Sequence, residues 1–135
     1  MNRQCLSIEQ MQHLKELGVD TSKASMQYVS NGNDIIFCVP KEGGYEIKGG
    51  DNGYIICSTF TLQDILDLLP ETIERAEGDF FLEIAKLNGF WYASYIIYVK
   101  KGSRFIVMID EEELIDSAYE MLCWCVENGH FKTAK

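Results

Sequence analysis

Basic residues, proline and long apolar runs are all scarce in this sequence of 135 residues. Twelve lysine and arginine residues accompany twenty-one aspartate and glutamate residues, so the formal net charge is -9. Nucleic acids and anionic lipid surfaces are bound through clustered basic side chains, and we therefore expect neither as a partner. No segment approaches the roughly 18 apolar residues of a membrane-spanning helix, so we expect no membrane association.

Motifs that would identify a reaction are also missing from the sequence. It contains no HExxH, CxxC or HxH pattern for a metal ion, and no GxSxG pattern for a nucleophilic serine. The phosphate-binding patterns GxxxxGK[ST] and GxGxxG are absent as well. The histidines, His13 and His130, stand near opposite ends of the chain. We predict no catalytic residue, no metal ligand and no cofactor, and we regard an enzyme as the less favoured class.

The five cysteines are Cys5, Cys38, Cys57, Cys123 and Cys125. Their number is odd, and the N-terminal sequence MNRQCLSIEQMQHL lacks the apolar segment of a signal peptide, so we expect reduced thiols in a cytoplasm. At 100° per residue, Cys123 and Cys125 lie about 160° apart around a helix and cannot bind one ion. A cysteine activated by a histidine would make a small thiol enzyme, which stays open as an alternative.

One helix-capping pattern occurs three times in the sequence. In a capping box, a short polar side chain at the N-cap is followed three residues later by an acidic or amide side chain. An apolar stripe follows each box and predicts three helices. For the last helix, predicted over residues 110–129, the acidic first turn suits the helix dipole and Asn128-Gly129 provides a stop. The three boxes are Ser7 with Gln10, Thr61 with Asp64, and Asp110 with Glu113.

Short β-branched and aromatic segments separate these helices and predict strands. Residues 80–87, 90–100 and 104–109 predict a three-stranded antiparallel meander, because Asn88-Gly89 is a strong signal for a two-residue hairpin turn. Residues 71–79 are acidic, and we expect them to be exposed. Three further β segments are predicted over 26–30, 35–39 and 54–58.

We therefore predict one α+β domain over residues 1–135, with a mainly antiparallel sheet of about five to six strands and three helices packed on it. Residues 41–53 hold five of the eleven glycines and predict a loop or a loosely held hairpin. Three strands and a capped helix occur twice, over 26–70 and 80–128, which raises the alternative of an internal duplication.

The middle strand of the meander, FWYASYIIYVK, is apolar on both faces. Such a strand lies in the centre of a sheet and is covered on its second face by a helix or a partner. Tyrosine and tryptophan are common anchors of protein interfaces, although a core strand whose tyrosines reach the sheet edge is the simpler alternative. Trp124 falls on the polar side of the last helix, where we predict cover from the chain around Phe131 or from a second copy. The predicted interaction surface consists of Trp91, Tyr92, Tyr95, Tyr98 and Trp124.

Three segments, CLSIEQMQHLKELGVDTSKASM, FTLQDILDLLP and YEMLCWCVENG, resemble a group of short proteins encoded in phage-like and mobile-element regions of Bacteroides-type gut bacteria. The resemblance covers the three predicted helices and less than half of the chain. It implies a cytoplasmic accessory protein and implies no catalytic or cofactor-binding residue.

These patterns lead us to predict a small acidic cytoplasmic accessory protein, a protein-interaction module of phage or mobile-element origin. Its partner would be another protein or a second copy of the chain. Two alternatives stay open. One is an immunity or anti-restriction-type inhibitor that binds a basic nuclease through clustered acidic residues, and the other is the small thiol enzyme.

Overall fold

The computed structural model describes residues 4–33, 35–41 and 53–131. It confirms an α+β fold with antiparallel strands and three helices, but seven strands form two sheets where we predicted five to six in one. The glycine-rich residues 42–52 lie outside the described residues. The elements are α1 (Ile8–Glu16), β1 (Met26–Ser30), β2 (Ile36–Pro40), β3 (Tyr54–Thr59), α2 (Leu62–Leu68), β4 (Thr72–Arg75), β5 (Gly78–Leu87), β6 (Phe90–Val99), β7 (Gly102–Glu111) and α3 (Leu114–Glu127).

The two sheets differ in the order of their strands. The smaller sheet has the order β2-β1-β3, so its first strand is central, whereas the larger sheet is a continuous meander in the order β4-β5-β6-β7. Asn88 and Gly89 take φ values of 54° and 83°, and Leu87 pairs with Phe90, as the predicted two-residue turn requires. The repeated succession of strands and helix therefore does not extend to a repeated topology.

The acidic residues of the segment 71–79 are exposed, as predicted, but the segment also contains a strand, β4, that we did not predict. Thr72–Arg75 pairs with Gly78–Leu87 at the edge of the larger sheet. The sequence pattern missed this strand because Ile73 is its one buried residue. The chain re-enters β5 at Gly78, whose φ is +134° and where an added Cβ would lie only 2.7 Å from Ile97 Cδ1.

Helices α1 and α2 begin at the predicted caps. The Gln10 N–H donates to Ser7 Oγ at 3.1 Å, and the Ser7 N–H donates to Gln10 Oε1 at 3.0 Å. The same reciprocal bonds join Thr61 and Asp64 at 3.1 and 2.9 Å. Two orphan N–H groups of each helix are thereby satisfied.

Helix α3 begins later than predicted, which corrects the proposed cap. Its N-cap is Glu113, whose side chain makes no capping hydrogen bond, and its first helical residue is Leu114. Asp110 and Glu111 still belong to β7, because they pair with Tyr92 and Trp91 of β6. The strand ladder thus takes the residues that the sequence pattern assigns to the first helical turn, while Gly129 ends the helix region with a φ of +76°.

One core joins the three helices to the larger sheet. Helix α3 supplies its fully buried Ala118, Met121 and Leu122, and α1 and α2 supply Leu14 and Ile65. The Gln10 amide also donates to Asp116 Oδ1 at 3.0 Å and ties α1 to α3. Within the described part of the chain, none of the helices is long and apolar enough to cross a membrane.

Candidate interaction surface

The antiparallel register divides the side chains of the larger sheet between two faces, since opposite residues of paired strands point to the same side. The inner face packs against the core and α3. We call the opposite side of the sheet the outer face. The inner face includes Phe80, Leu82, Ile84, Ala93, Tyr95, Ile97, Val107 and Ile109. The outer face includes Thr72, Glu74, Asp79, Phe81, Glu83, Ala85, Leu87, Phe90, Tyr92, Ser94, Ile96, Tyr98, Ser103, Phe105, Met108 and Asp110.

An apolar row crosses the middle of the outer face. Phe81 pairs with Ile96, and Ile96 pairs with Phe105. The two phenylalanines are 52% and 46% exposed, whereas Ile96 is 3% exposed although it is not part of the core cluster. Its cross-strand neighbours on the outer face therefore cover Ile96. Met108, Tyr98 and Leu87 extend this exposed apolar surface.

The charged side chains of the outer face are all carboxylates. They belong to Glu74, Asp79, Glu83 and Asp110. Within the four strands, which the structure describes completely, the basic residues alternate to the other side. These are Arg75, Lys86 and Arg104, and Lys86 lies over the Trp91 ring with its Nζ 5.3 Å from the centroid. Lys100 and Lys101 lie in the turn between β6 and β7.

The five residues predicted as an interaction surface do not lie together. Tyr92 and Tyr98 are on the outer face, and the Tyr98 hydroxyl donates to Glu83. Trp91 is on the inner side, half-buried beneath Lys86. Tyr95 is fully buried, so it cannot contact a partner. The alternation of β6 separates residues that the sequence places side by side.

Tyr95 instead anchors the core to the chain before β4. Its hydroxyl donates to the Pro70 carbonyl oxygen at 2.6 Å, and Cys125 Sγ lies 3.9 Å from that hydroxyl. Burial raises the pKa of the Tyr95 phenol far above its ordinary range, so it stays a neutral donor. Tyr95 is therefore a structural residue of the core.

Trp124 is half-buried and lies near the chain that follows α3. Its ring stacks on His130, with centroids 5.2 Å apart and an angle of 23° between the planes. Phe131, the next residue, packs against the core cluster. The chain that follows α3 thus covers Trp124, which is the first of the two alternatives that we predicted for this residue.

Three thiols and a phenol form a second cluster on the smaller sheet. Tyr28 pairs with Cys38 on one side and Cys57 on the other, so the three side chains share one face. Cys5 Sγ lies 3.1 Å from Cys38 Sγ and 3.6 Å from the Tyr28 hydroxyl. The Tyr28 hydroxyl itself donates to the Leu6 carbonyl oxygen at 2.7 Å. The cluster fastens the segment before α1 onto the sheet.

None of these contacts makes an activated cysteine. Burial raises the pKa of Cys38 to about 12, with Cys5 adding to the effect. Burial also raises the pKa of Cys123 and of Cys125 to about 11, so at neutral pH these thiols are protonated. Among the described residues, no thiol is hydrogen-bonded to a histidine ring; His130 instead stacks on Trp124. This geometry gives no support to a thiol enzyme.

Carboxylates also cluster where β7 meets α3. Partial desolvation raises the pKa of Glu120 to about 7, and a hydrogen bond that the protonated Glu120 carboxyl donates to Glu111 adds to the effect, as do the nearby Asp116 and Asp110. In the described ranges, no group of three or more His, Cys, Asp or Glu residues is arranged to hold a metal ion. We therefore treat this cluster as a source of pH dependence.

An open groove of about 340 Å³ runs between α1 and β3. Its lining mixes apolar Ile8, Met11 and Ile56 with Lys15 and Cys57. Small-molecule sites enclose most of their ligand and aim a few polar groups at it. This groove is open, and the charged side chain in its lining is a single lysine, so it is a weaker candidate than the outer face.

The sequence did not lead us to predict the outer face, because we took the sheet residues of the predicted surface from β6 alone. Phe81 and Phe105 come from β5 and β7 and join Ile96 only through the register. A weak signal was present, since the segment FFLEIAKL of β5 places apolar residues on both faces. Pairing it across the Asn88-Gly89 turn would have placed Phe81 opposite Ile96.

No family model matches this chain, and no curated protein and no solved structure matches it. The resemblance of the three helical segments to proteins of mobile elements therefore stays a prediction.

Proposed function

We propose that this protein is a protein-interaction module whose binding surface is the outer face of the four-stranded sheet. One observation carries the proposal: the row Phe81–Ile96–Phe105 crosses the centre of a sheet face on which both phenylalanines stay about half exposed. Antiparallel sheets with one solvated face normally alternate apolar and polar residues, with the polar ones outside. Here the outside carries large apolar side chains.

Burial of this row in an interface would be favourable. Transfer of apolar area out of water contributes roughly 25 cal/mol per Å², and contiguous exposed apolar surface on a folded chain marks interaction sites. The smaller sheet also has exposed apolar residues, Ile36, Tyr54 and Ile55, with Ile35 just before β2. They are close in sequence to residues 34 and 42–52, which lie outside the described residues. The outer face of the larger sheet is the apolar surface that the described residues define completely.

The wider role in this proposal is that of an accessory protein in a bacterial cytoplasm, encoded by a phage or another mobile element. The five cysteines are all free, which suits a reducing compartment. The resemblance of the three helical segments supports the origin. The resemblance thus supports the proposed origin and compartment, whereas the proposed binding activity is based on the outer face.

The proposal is tested by replacing the exposed phenylalanines. The double variant Phe81→Ser/Phe105→Ser should lose at least about tenfold in affinity for the partner, because it removes the apolar centre of the interface. The measurement is quantitative affinity capture from lysate of the native host, followed by titration of the captured protein by calorimetry.

Val99→Ser is the matched control for that experiment. Val99 is 43% exposed and belongs to the same sheet, but it alternates to the inner side of β6. The control should bind like the unmodified protein, and circular dichroism should show that both variants are folded. Unchanged affinity of the folded double variant would contradict the proposed surface.

A second candidate function is inhibition of a basic nuclease. Its support is the grouping of carboxylates, both on the outer face and around Glu120, where desolvation and then the neighbouring acids raise the pKa of Glu120 to about 7. A nuclease captured in the experiment above should lose activity on addition of the protein in equimolar amounts. Full nuclease activity in the complex would contradict inhibition and leave binding intact.

A further inference from the structure

We infer that the outer face binds a protein surface whose apolar centre is flanked by lysine and arginine side chains, and not a second copy of this chain. The inference rests on the proposed function and identifies the chemistry of its partner. It follows from the distribution of charge around the Phe81–Ile96–Phe105 row.

The carboxylates of the outer face lie on both sides of the apolar row. Glu83 is two residues from Phe81 along β5, and Asp79 is two residues away in the other direction. Asp110 lies farther along the same face of β7, opposite Tyr92. An apolar partner flanked by cations would meet opposite charge at each of these positions, and complementary charge gives an interface its specificity and association rate.

Two of these carboxylates form a directly opposed pair of like charge. Glu74 and Asp79 stand directly opposite each other on β4 and β5, and both side chains are exposed. Like charges in a directly opposed cross-strand pair destabilise a sheet. Arg75, the next residue in the sequence, points to the other side and cannot relieve the pair through the register. A lysine or arginine from a partner placed between them would remove the repulsion.

The same distribution disfavours self-association. In a two-fold symmetric dimer the same patch serves both subunits. Two outer faces would therefore bring their carboxylates together around an interface that excludes water, and such a juxtaposition of like charges opposes association. The net charge of -9 adds a general repulsion between copies. We expect the protein to be a monomer in sedimentation equilibrium.

The test uses two synthetic amphipathic peptides as probes. One carries a leucine and phenylalanine face flanked by lysines, and the other is identical except that glutamate replaces each lysine. Binding is followed by ¹H–¹⁵N NMR of the intact protein. The lysine peptide should shift amide signals of Phe81, Ile96 and Phe105 and should bind at least about tenfold more tightly than the glutamate peptide. Its affinity should fall as salt is added, because exposed charges are screened.

Two charge-reversal variants separate local from general electrostatics. Glu74→Lys/Asp79→Lys changes the opposed pair, and Glu16→Lys/Glu127→Lys changes the last residues of α1 and α3. Each lysine for a carboxylate shifts the net charge by two, so both variants move it from -9 to -5. The outer-face variant should bind the lysine peptide about tenfold more weakly, while the helix-end variant should lose at most about twofold.

The outcomes distinguish the inference from the proposed function. Equal binding of both peptides at Phe105, or equal losses in the two reversal variants, would overturn the cationic partner and leave the interaction surface in place. A dimer that Phe105→Ser dissociates would do the same, since a second copy would then be the occupant. If the folded Phe81→Ser/Phe105→Ser variant binds the lysine peptide as tightly as the unmodified protein, both the cationic partner and the proposed binding surface are overturned.

Discussion

The two faces of the four-stranded sheet are built from similar residues and have different surroundings. The inner face places Tyr95 and Ala93 beneath α3, where both are fully buried. The outer face places Ile96, the next residue after Tyr95, between Phe81 and Phe105 of the two neighbouring strands. Apolar content alone therefore does not tell which side of a strand is the core, and the helices decide it.

The largest expected effect is on the inner side. Leu122→Ala should lower the free energy of unfolding by about 2–5 kcal/mol, because Leu122 is fully buried and truncation leaves a cavity. Phe105→Ala, on the outer face, should lower it by less than about 1 kcal/mol, since the ring is about half exposed. Urea unfolding followed by circular dichroism measures both. Similar losses would show that the outer face is a second core.

Ile96→Ala should fall between those two variants, with a loss of about 2 kcal/mol. The side chain is 3% exposed, but the cover comes from cross-strand neighbours that can partly collapse into the space. The same urea titration measures it. A loss as large as that of Leu122→Ala would mean that the Phe81 and Phe105 rings hold Ile96 as rigidly as α3 holds the inner face.

Two tyrosine-to-phenylalanine changes compare the faces at a single hydroxyl. Tyr95→Phe should cost about 1–2 kcal/mol, because it removes the buried hydroxyl that donates to the Pro70 carbonyl oxygen at 2.6 Å. Tyr98→Phe removes an exposed hydroxyl that donates to Glu83 and should leave the stability nearly unchanged. Thermal unfolding of the two variants gives the comparison, and a larger loss for Tyr98→Phe would reverse our assignment of faces.

The smallest effect is a pH dependence at the junction of β7 and α3. Glu120 has its pKa raised to about 7 in the folded protein from an ordinary value of 4.5. The folded state thus holds a proton that the unfolded state has lost, so this group's stabilising contribution is complete below pH 4.5 and declines as pH rises towards 7. Glu120→Gln should be more resistant to heat than the unmodified protein at pH 8 and should lose this part of the pH dependence. An unchanged slope between pH 4.5 and 7 in Glu120→Gln would exclude Glu120 as its source.

Local sequence patterns predicted the elements whose ends depend on neighbouring residues. The capping boxes at Ser7 and Thr61 formed as expected, as did the turn at Asn88-Gly89. The box at Asp110 did not form, because the ladder between β6 and β7 continues through Glu111. Local capping and long-range strand pairing compete for the same residues. A local sequence pattern can predict the capping but not the pairing.

The candidate surface could be predicted only in part for the same reason. The aromatic composition of β6 predicted Tyr92 and Tyr98, which lie on the outer face. It also led us to include Tyr95, because the burial of Tyr95 beneath α3 cannot be read from the local sequence. Phe81 and Phe105 were missed because their distance from Ile96 is set by strand register. A similar limit applies to Cys5 and Cys38, whose sulfur atoms approach to 3.1 Å from positions far apart in the chain.

The sequence by itself determined the acidic character of the protein, the caps of α1 and α2, the Asn88-Gly89 turn and the α+β class, because these depend on composition or on contacts within a few residues. Only the tertiary structure decided that seven strands divide into two sheets, that α3 covers one face of the larger sheet, and that Phe81, Ile96 and Phe105 meet on the other. Strand pairing and helix docking join residues distant in sequence, and their free energy depends on the whole core rather than on any one segment.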